Sequence, residues 1–181
     1  SMGFAVKDEI SKGMSELFRE ADGNMYTQKL HQKQHARQAI VQRLMKTLEE
    51  RDIATYSHVE LLQKLVTAMA YKMGLPEQCI RDMSLLAKFH NVGKVGIPDT
   101  IFKKPEALTP DEIAAIHRHC EIGYRIAMST PDLVHIADWI LKHHEWWNGK
   151  GYLFGLKGEE IPIECRIFSM ADAYDAMTSD R

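Results

Sequence analysis

The stretch PEQCIRDMSLLAKFHN, residues 76–91, carries the pattern on which the fold prediction depends. Its apolar residues recur at intervals of three and four, through Met83 and Leu86, and the stretch ends on the polar pair His90-Asn91. This spacing puts the apolar side chains on one face of an α-helix and a histidine at the end of that face. We therefore expect a helix with one buried face that presents a polar group where it ends.

The same periodicity returns in other parts of the chain. It marks five further segments, Ile40 to Leu48, Leu62 to Met73, Ile113 to Tyr124, Leu133 to Ile140, and one that begins near Ile163. Two helix starts are signalled by the runs 109–112 and 130–132, which combine a capping threonine, a proline and acidic residues. The alternation typical of strands is almost absent. The sequence therefore predicts an all-α helical bundle.

Composition limits the classes of function. The chain has 181 residues, of which 45% are hydrophobic, and a formal net charge of -2, so it lacks the cationic field of a non-specific DNA-binding protein. Cys79, Cys120 and Cys165 are isolated, which favours small buried thiols in a reducing cytoplasm over a disulfide framework. We therefore expect a cytoplasmic protein. We expect no membrane span in this fragment, because no apolar run approaches the roughly 18 residues that span a bilayer.

Polar side chains stand at or near the ends of the predicted apolar helices. They are His58, His90, Asn91, His119, His143, His144 and Asp172. Burying an imidazole without a partner costs roughly 1–3 kcal/mol, so five such histidines would cost a large fraction of a domain's stability. A shared metal removes that cost and joins helices that are distant in sequence. This pattern predicts a metal site, and two adjacent metals would make a phosphoester hydrolase.

Four motifs resemble the HD-GYP family. They are FHNVGKVGIPDTIF at 89–102, HRHCEIGY at 117–124, HHEWWNGKGYLFGLKGEEIP at 143–162 and ADAYDAMTSDR at 171–181. Members of that family are all-helical phosphodiesterases of the HD superfamily, which hydrolyse cyclic di-GMP through a metal-activated water. The resemblance covers roughly residues 50–181, with the motifs in the family's order. It implies an HD-superfamily helical bundle preceded by a linker helix.

The resemblance also implies roles for individual residues. One metal would be held by His58, His90, Asn91 and Asp172, and a second by His119, His143 and His144, with Asn91 bridging and acting with Lys94 in catalysis. Lys94 would contact the scissile phosphate or the nucleophile, and Asp175 and Arg181 would lie near the bound dinucleotide. Tyr152, flanked by loop glycines, is a further candidate for contact with the substrate. Mixed imidazole and carboxylate ligands suit one or two ions of iron, manganese or another borderline transition metal.

The chain departs from the family pattern at several positions. Asn91 replaces the aspartate of the HD pair, and a neutral amide bridges two cations poorly. A glycine-rich loop, called the glycine loop below, lies between His144 and Ile163. In this loop Asn148 replaces an aspartate, Trp146 replaces an arginine, and Leu153 replaces the proline of the GYP triplet. Ala54 stands where three-metal members carry a glutamate, so we expect no third metal.

These departures leave three functions open. The chain is a phosphodiesterase with reduced activity, or a degenerate module that binds cyclic dinucleotide or a protein partner, or, less favoured, a phosphohydrolase for another phosphoester.

The first fifty residues carry a second, shorter resemblance. Residues 16–29, ELFREADGNMYTQK, resemble the end of a GGDEF (diguanylate cyclase) domain, the alternative being an ordinary amphipathic helix. We therefore expect residues 1–30 to be the remnant of a preceding domain, 31–50 a connecting helix, and 51–181 an HD-GYP-like domain that is truncated at its C-terminus. A GGDEF domain is then an expected partner, in cis or in trans. The stripe of Ile40, Val41, Leu44 and Leu48 would pair with a second copy or cover its own domain.

Overall fold

The computed structural model describes residues 2, 4–6, 13–50, 56–102 and 104–178, and these form helices joined by turns and loops. The helices are α1 (Met14–Glu50), α2 (Tyr56–Lys72), α3 (Glu77–Phe89), α4 (Asp99–Phe102), α5 (Pro110–His117), α6 (His119–Ser129), α7 (Ala137–Lys142) and α8 (Ile163–Thr178). Short 3-10 helices span Val92–Gly96, Val134–Ile136 and Gly158–Glu160. The described residues contain no β-strand, which confirms the all-α prediction. None of the described helices is both long and apolar enough to cross a bilayer.

The chain divides into two compact units, Ser1–Arg43 and Leu44–Arg181. The first unit contains most of α1, whose Phe18, Tyr26 and Leu30 side chains are largely exposed. Helix α1 continues through residues 30 and 31, so the expected boundary between domain remnant and connecting helix falls inside one helix. Of the predicted stripe, Ile40 is exposed, while the side chains of Val41, Leu44 and Leu48 lie outside the described part of the chain.

The core of the second unit lies where α2 packs against α3 and α8. Leu62 and Val66 of α2, Leu86 of α3 and Phe168 of α8 are completely buried. The buried stripe of α2 consists of Val59, Leu62, Val66 and Ala70. The prediction was wrong about Met73, which is 55% exposed, because two overlapping stripes fit the same spacing and the buried one uses Val66 and Ala70.

The two predicted helix starts behave differently. At Thr109 the hydroxyl accepts the Glu112 N–H and the Glu112 carboxylate accepts the Thr109 N–H, so this start is a complete capping box. Thr130 instead ends α6, because its backbone is extended; its hydroxyl donates to the carbonyl of Ile126 at 2.8 Å. The prediction of a helix start at residue 130 was therefore wrong. A turn and a 3-10 helix follow, and α7 begins only at Ala137.

The turn that follows His90-Asn91 lies directly on α6. A Cβ atom added at Gly93 would come within 1.9 Å of the His119 carbonyl oxygen and 2.4 Å of the Gly123 nitrogen. Backbone atoms of the two elements therefore touch, which only glycine at position 93 allows. This contact holds the end of α3 against the start of α6, two places where the sequence predicts metal ligands.

We expect Gly93→Ala to lower the free energy of unfolding of the second unit by at least about 1–3 kcal/mol, because the new methyl group overlaps rigid backbone. Urea denaturation followed by circular dichroism measures the change. Gly23→Ala is the control, because a Cβ at this helical position meets nothing within 4 Å. Equal stability of the two variants would contradict the proposed backbone contact.

Candidate metal centre

The structure brings most of the predicted ligands into two groups of donor atoms. The first group consists of His58, His90 and Asp172, and the second consists of His119, Cys120, His143 and His144. Within each group, one donor atom from every residue lies within 4.8 Å of the others. The groups adjoin, since the rings of His90 and His143 have centroids 5.6 Å apart. Helices distant in sequence thus meet at one polar centre.

Three of the histidines are held in the same way. Nδ1 of His90, His119 and His143 lies 3.0, 2.8 and 2.7 Å from the backbone carbonyl oxygen three residues earlier. A carbonyl oxygen can only accept, so each Nδ1 carries the proton and donates it. Each Nε2 is then left with the electron pair that a metal requires.

One of these Nε2 atoms points directly to a missing ligand. Among the atoms that the structure describes, Nε2 of His143 is buried and has no hydrogen-bond partner. Leaving such an atom unsatisfied costs about 1–3 kcal/mol, and coordination of a cation removes the cost. The residues present therefore fit a metal ion.

Burial keeps these imidazoles neutral. It lowers the pKa of His90 and of His143 well below the ordinary value, that of His119 to about 4 and that of His144 to about 3. The charge of Lys94 adds to the lowering of the pKa at His90, His119 and His144. The Lys94 ammonium is thus within electrostatic reach of both donor groups, as its predicted role next to a phosphate requires.

His58 is positioned by a carboxylate. Its Nδ1 lies 2.5 Å from Oδ2 of Asp175, whose side chain is only 2% exposed. A carboxylate behind a ligating histidine fixes the orientation and the tautomer of its ring. This placement favours a positioning role for Asp175 over the predicted contact with substrate.

Asn91 and the remaining predicted site residues are placed as follows. Asn91 is buried, and its backbone carbonyl accepts the N–H of Lys94 at 2.9 Å. The structure therefore puts an amide beside His90, where the family carries a carboxylate, and its bridging role stays a prediction. Arg181 and Ala54 lie outside the described residues, so the predictions that rest on them are untested.

The glycine loop folds back onto the second group. A Cβ at Gly151 would come within 2.4 Å of the Trp146 nitrogen and 2.5 Å of the His144 carbonyl oxygen. The ring of Tyr152 stacks on His117, with centroids 3.6 Å apart, and lies 4.9 Å from that of His144. Tyr152 is therefore packed beside the metal centre rather than extended on a free loop.

Glu145 anchors this loop, a role that the sequence reasoning missed. Its carboxylate is buried and accepts the backbone N–H groups of Phe154 at 2.7 Å and Leu156 at 2.9 Å. Its position directly after His143-His144 and before a run of glycines was the available signal, since loop amides need an acceptor.

Cys120 was also missed as a donor. The predicted burial is correct for Cys120 and Cys165, which are completely buried, and wrong for Cys79, which is partly exposed. Burial raises the pKa of Cys120 to about 12. Its Sγ nevertheless lies 3.6 Å from Nε2 of His119. Neighbouring residues on a helix point about 100° apart, so adjacency to His119 was no signal that both face the same centre.

We expect Glu145→Gln to loosen the glycine loop, because an amide group offers one oxygen where two backbone N–H groups now meet a carboxylate. The free energy that holds the loop in place should fall by about 1.5–3 kcal/mol, the typical contribution of hydrogen bonds to a charged group. Hydrogen exchange at the amides of Phe154 and Leu156 should accelerate. Glu159→Gln, at an exposed position on the same loop, is the control, and unchanged exchange in both variants would contradict the assignment.

We expect the metal-free protein to lose stability in mild acid. The histidine pKa values are depressed in the folded state, so the unfolded chain binds protons first as the pH falls below about 6.5. Stability is retained above that pH and falls below it, by up to about 1.4 kcal/mol per pH unit for each buried histidine. The loss continues until the folded pKa values, about 4 for His119 and about 3 for His144, are reached.

Urea unfolding of chelator-treated protein between about pH 7.5 and about pH 5 measures this slope. His144→Gln should reduce it, whereas His31→Gln, at an exposed position of α1, should leave it unchanged. A slope that is the same in all three proteins would contradict the prediction.

Comparisons with known proteins agree with this geometry. The family model described as HD domain matches residues 29–181. The chain is 42% identical over 135 residues to a cyclic di-GMP phosphodiesterase of Thermotoga maritima, covering 74% of this chain and 37% of that protein. It is 38% identical over 141 residues to the cyclic di-GMP phosphodiesterase response regulator RpfG of Xanthomonas campestris pv. campestris, covering 77% of this chain and 37% of that protein.

A solved structure shows the same fold. It is the HD domain of the L. monocytogenes phosphodiesterase PgpH in complex with cyclic-di-AMP, with a TM-score of 0.53, 20% identity, and coverage of 76% of this chain and 75% of that one. The chain spans 37% of the length of each of the two relatives above. The predicted recognition of an HD-superfamily domain of the HD-GYP type is confirmed. The chain belongs to the HD domain family.

Proposed function

We propose that the second unit is a phosphodiesterase domain that hydrolyses cyclic di-GMP at a metal centre formed by the two donor groups. The observation that carries this proposal is the convergence of the groups, with Nε2 of His143 buried and unsatisfied among the described atoms. The names of the two relatives support cyclic di-GMP as the substrate.

The residues of this chain suit that reaction. A divalent cation, when bound, supplies a Lewis acid that lowers the pKa of a coordinated water and polarises a phosphoryl oxygen. His58, His90 and Asp172 would hold one ion, and His119, His143 and His144 a second. Lys94, whose charge reaches both groups, would neutralise the phosphate as negative charge accumulates.

The supporting residues have separate tasks. Asp175 keeps the Nδ1 face of His58 occupied, so that its Nε2 is the atom presented to an ion. Tyr152, packed between His117 and His144, offers an aromatic face next to the centre that suits contact with a guanine base. Substrate contacts by Tyr152 and Arg181 remain part of the proposal.

Asn91 should limit the activity. A carboxylate can give one oxygen to each of two cations and supplies charge, whereas an amide gives one good oxygen and no charge. We therefore propose a slow enzyme with iron or manganese as the metal, in which the second ion is bound weakly. Elemental analysis of protein purified without chelator measures how many ions are retained.

We expect Asn91→Asp to raise the rate of cyclic di-GMP hydrolysis by about tenfold or more, a barrier lower by at least about 1.4 kcal/mol, since a bridging carboxylate would hold both ions and supply negative charge. Chromatography of the products formed with added Mn²⁺ or Fe²⁺ measures the rate and separates linear dinucleotide from mononucleotide. Asn24→Asp, in the first unit, makes the same chemical change and is the control.

The outcomes separate the functions. If neither the chain nor Asn91→Asp hydrolyses cyclic di-GMP at saturating metal, the phosphodiesterase proposal is contradicted. Cyclic di-GMP that binds in calorimetry but is not hydrolysed would instead favour a degenerate binding module, which the amide at position 91 supports. Preferential hydrolysis of another cyclic dinucleotide or phosphoester would change the proposed substrate and leave the proposed metal-dependent hydrolysis unchanged.

Partners beyond the dinucleotide are also proposals. A GGDEF domain in cis or in trans follows from the resemblance of residues 16–29, and a homodimer through residues 31–50 follows from the apolar stripe. The cytoplasmic location is likewise proposed, and the free thiols of Cys79, Cys120 and Cys165 are compatible with it.

A further inference from the structure

Cys120 lies inside the second donor group rather than beside it. It is completely buried in the first turn of α6, and its Sγ is 3.6 Å from Nε2 of His119 and 4.0 Å from Nδ1 of His143. Its sulfur and one donor atom from each of the three histidines all lie within 4.8 Å of one another.

The separation between sulfur and nitrogen suits a shared ion. With metal–sulfur and metal–nitrogen bonds of about 2.3 and about 2.0 Å at a tetrahedral angle, the two ligand atoms stand about 3.5 Å apart. The 3.6 Å between Sγ of Cys120 and Nε2 of His119, itself a hydrogen-bond contact, is compatible with this value. The buried, unsatisfied Nε2 of His143 is an independent sign that a ligand is expected at this group.

Charge balance points the same way. The first group contains the carboxylate of Asp172, whereas the second group, as described, contains no carboxylate. Its histidines are neutral, and position 91 is an amide. Glu145, whose charge reaches Cys120, already accepts two loop N–H groups. Holding a divalent cation in a buried site with neutral ligands alone is costly, so a thiolate would supply the missing negative charge.

We propose that Cys120, as a thiolate, is a ligand of the ion held by His119, His143 and His144. On coordination the S–H bond breaks, its proton passes to the solvent, and its electron pair forms the bond to the metal, with no change of oxidation state. This inference rests on the metal-binding part of the proposed function and requires no substrate or turnover. It makes the second group favour Fe²⁺, Co²⁺ or Zn²⁺ over Mn²⁺, because thiolates are soft ligands.

Cobalt loading tests the proposal directly. Chelator-treated full chain is titrated with Co²⁺, and we expect thiolate-to-cobalt charge-transfer absorption in the near ultraviolet. Cys120→Ser should lose this absorption. Cys79→Ser and Cys165→Ser should keep it, since those sulfurs lie next to Glu164 and the Trp139 carbonyl instead.

Two results would overturn the proposal. One is cobalt that binds with visible absorption but without the charge-transfer band, and the other is a band that survives in Cys120→Ser. X-ray absorption of the unmodified, metal-loaded chain gives the same answer without a variant, through a sulfur scatterer at about 2.3 Å or its absence. Loss of phosphodiesterase activity alone would not change either spectrum, so the two proposals fail separately.

Discussion

The metal centre depends on how three histidines meet the ends of the helices that precede them in the chain. His90, His119 and His143 each donate Nδ1–H to the carbonyl three residues earlier. In each case a carbonyl of a helix end gains a partner and the tautomer of the ring is fixed. Because burial also keeps the rings neutral, every Nε2 is presented as an electron-pair donor before any ion arrives. The same Nδ1–H hydrogen bond therefore satisfies a carbonyl at a helix end and orients Nε2 toward the metal site.

The two donor groups differ in the negative charge that they offer to a cation. At the first group, Asp172 is a donor and Asp175 stands behind His58, so two carboxylates contribute negative charge there. The second group has three imidazoles and the thiol of Cys120, and its neighbour Glu145 serves the loop. With an amide at position 91 the groups share no described carboxylate. The first group is consequently expected to be the stronger site for a hard cation, and under the proposal above the second would depend on the thiolate of Cys120.

The sequence predicted the fold class and the histidines because both leave periodic signals. Apolar spacing indicates helices, and a histidine at the end of an apolar face would be costly unless it had a partner. What it did not predict depends on three-dimensional contact. Cys120 resembles one more buried thiol, Thr130 fits a helix start as well as a helix end, and Met73 fits the helical spacing of α2 although its side chain is exposed. Asp175 was recognised by its motif, but its contact with His58 joins residues 117 positions apart.

Lys94 brings a positive charge near both donor groups, and this charge does not depend on the residue at position 91. The contact of Gly93 with α6 carries Lys94 to a position where its charge is felt by His90, His119 and His144. An ammonium among neutral imidazoles favours a bound anion even before any cation is added. Cations at the two groups would increase this attraction, since the described carboxylates are too few to neutralise them. Under the proposed function, a phosphodiester would complete the charge balance that Asn91 leaves open. Affinity for cyclic di-GMP is then expected to depend less on the residue at position 91 than the rate of hydrolysis does.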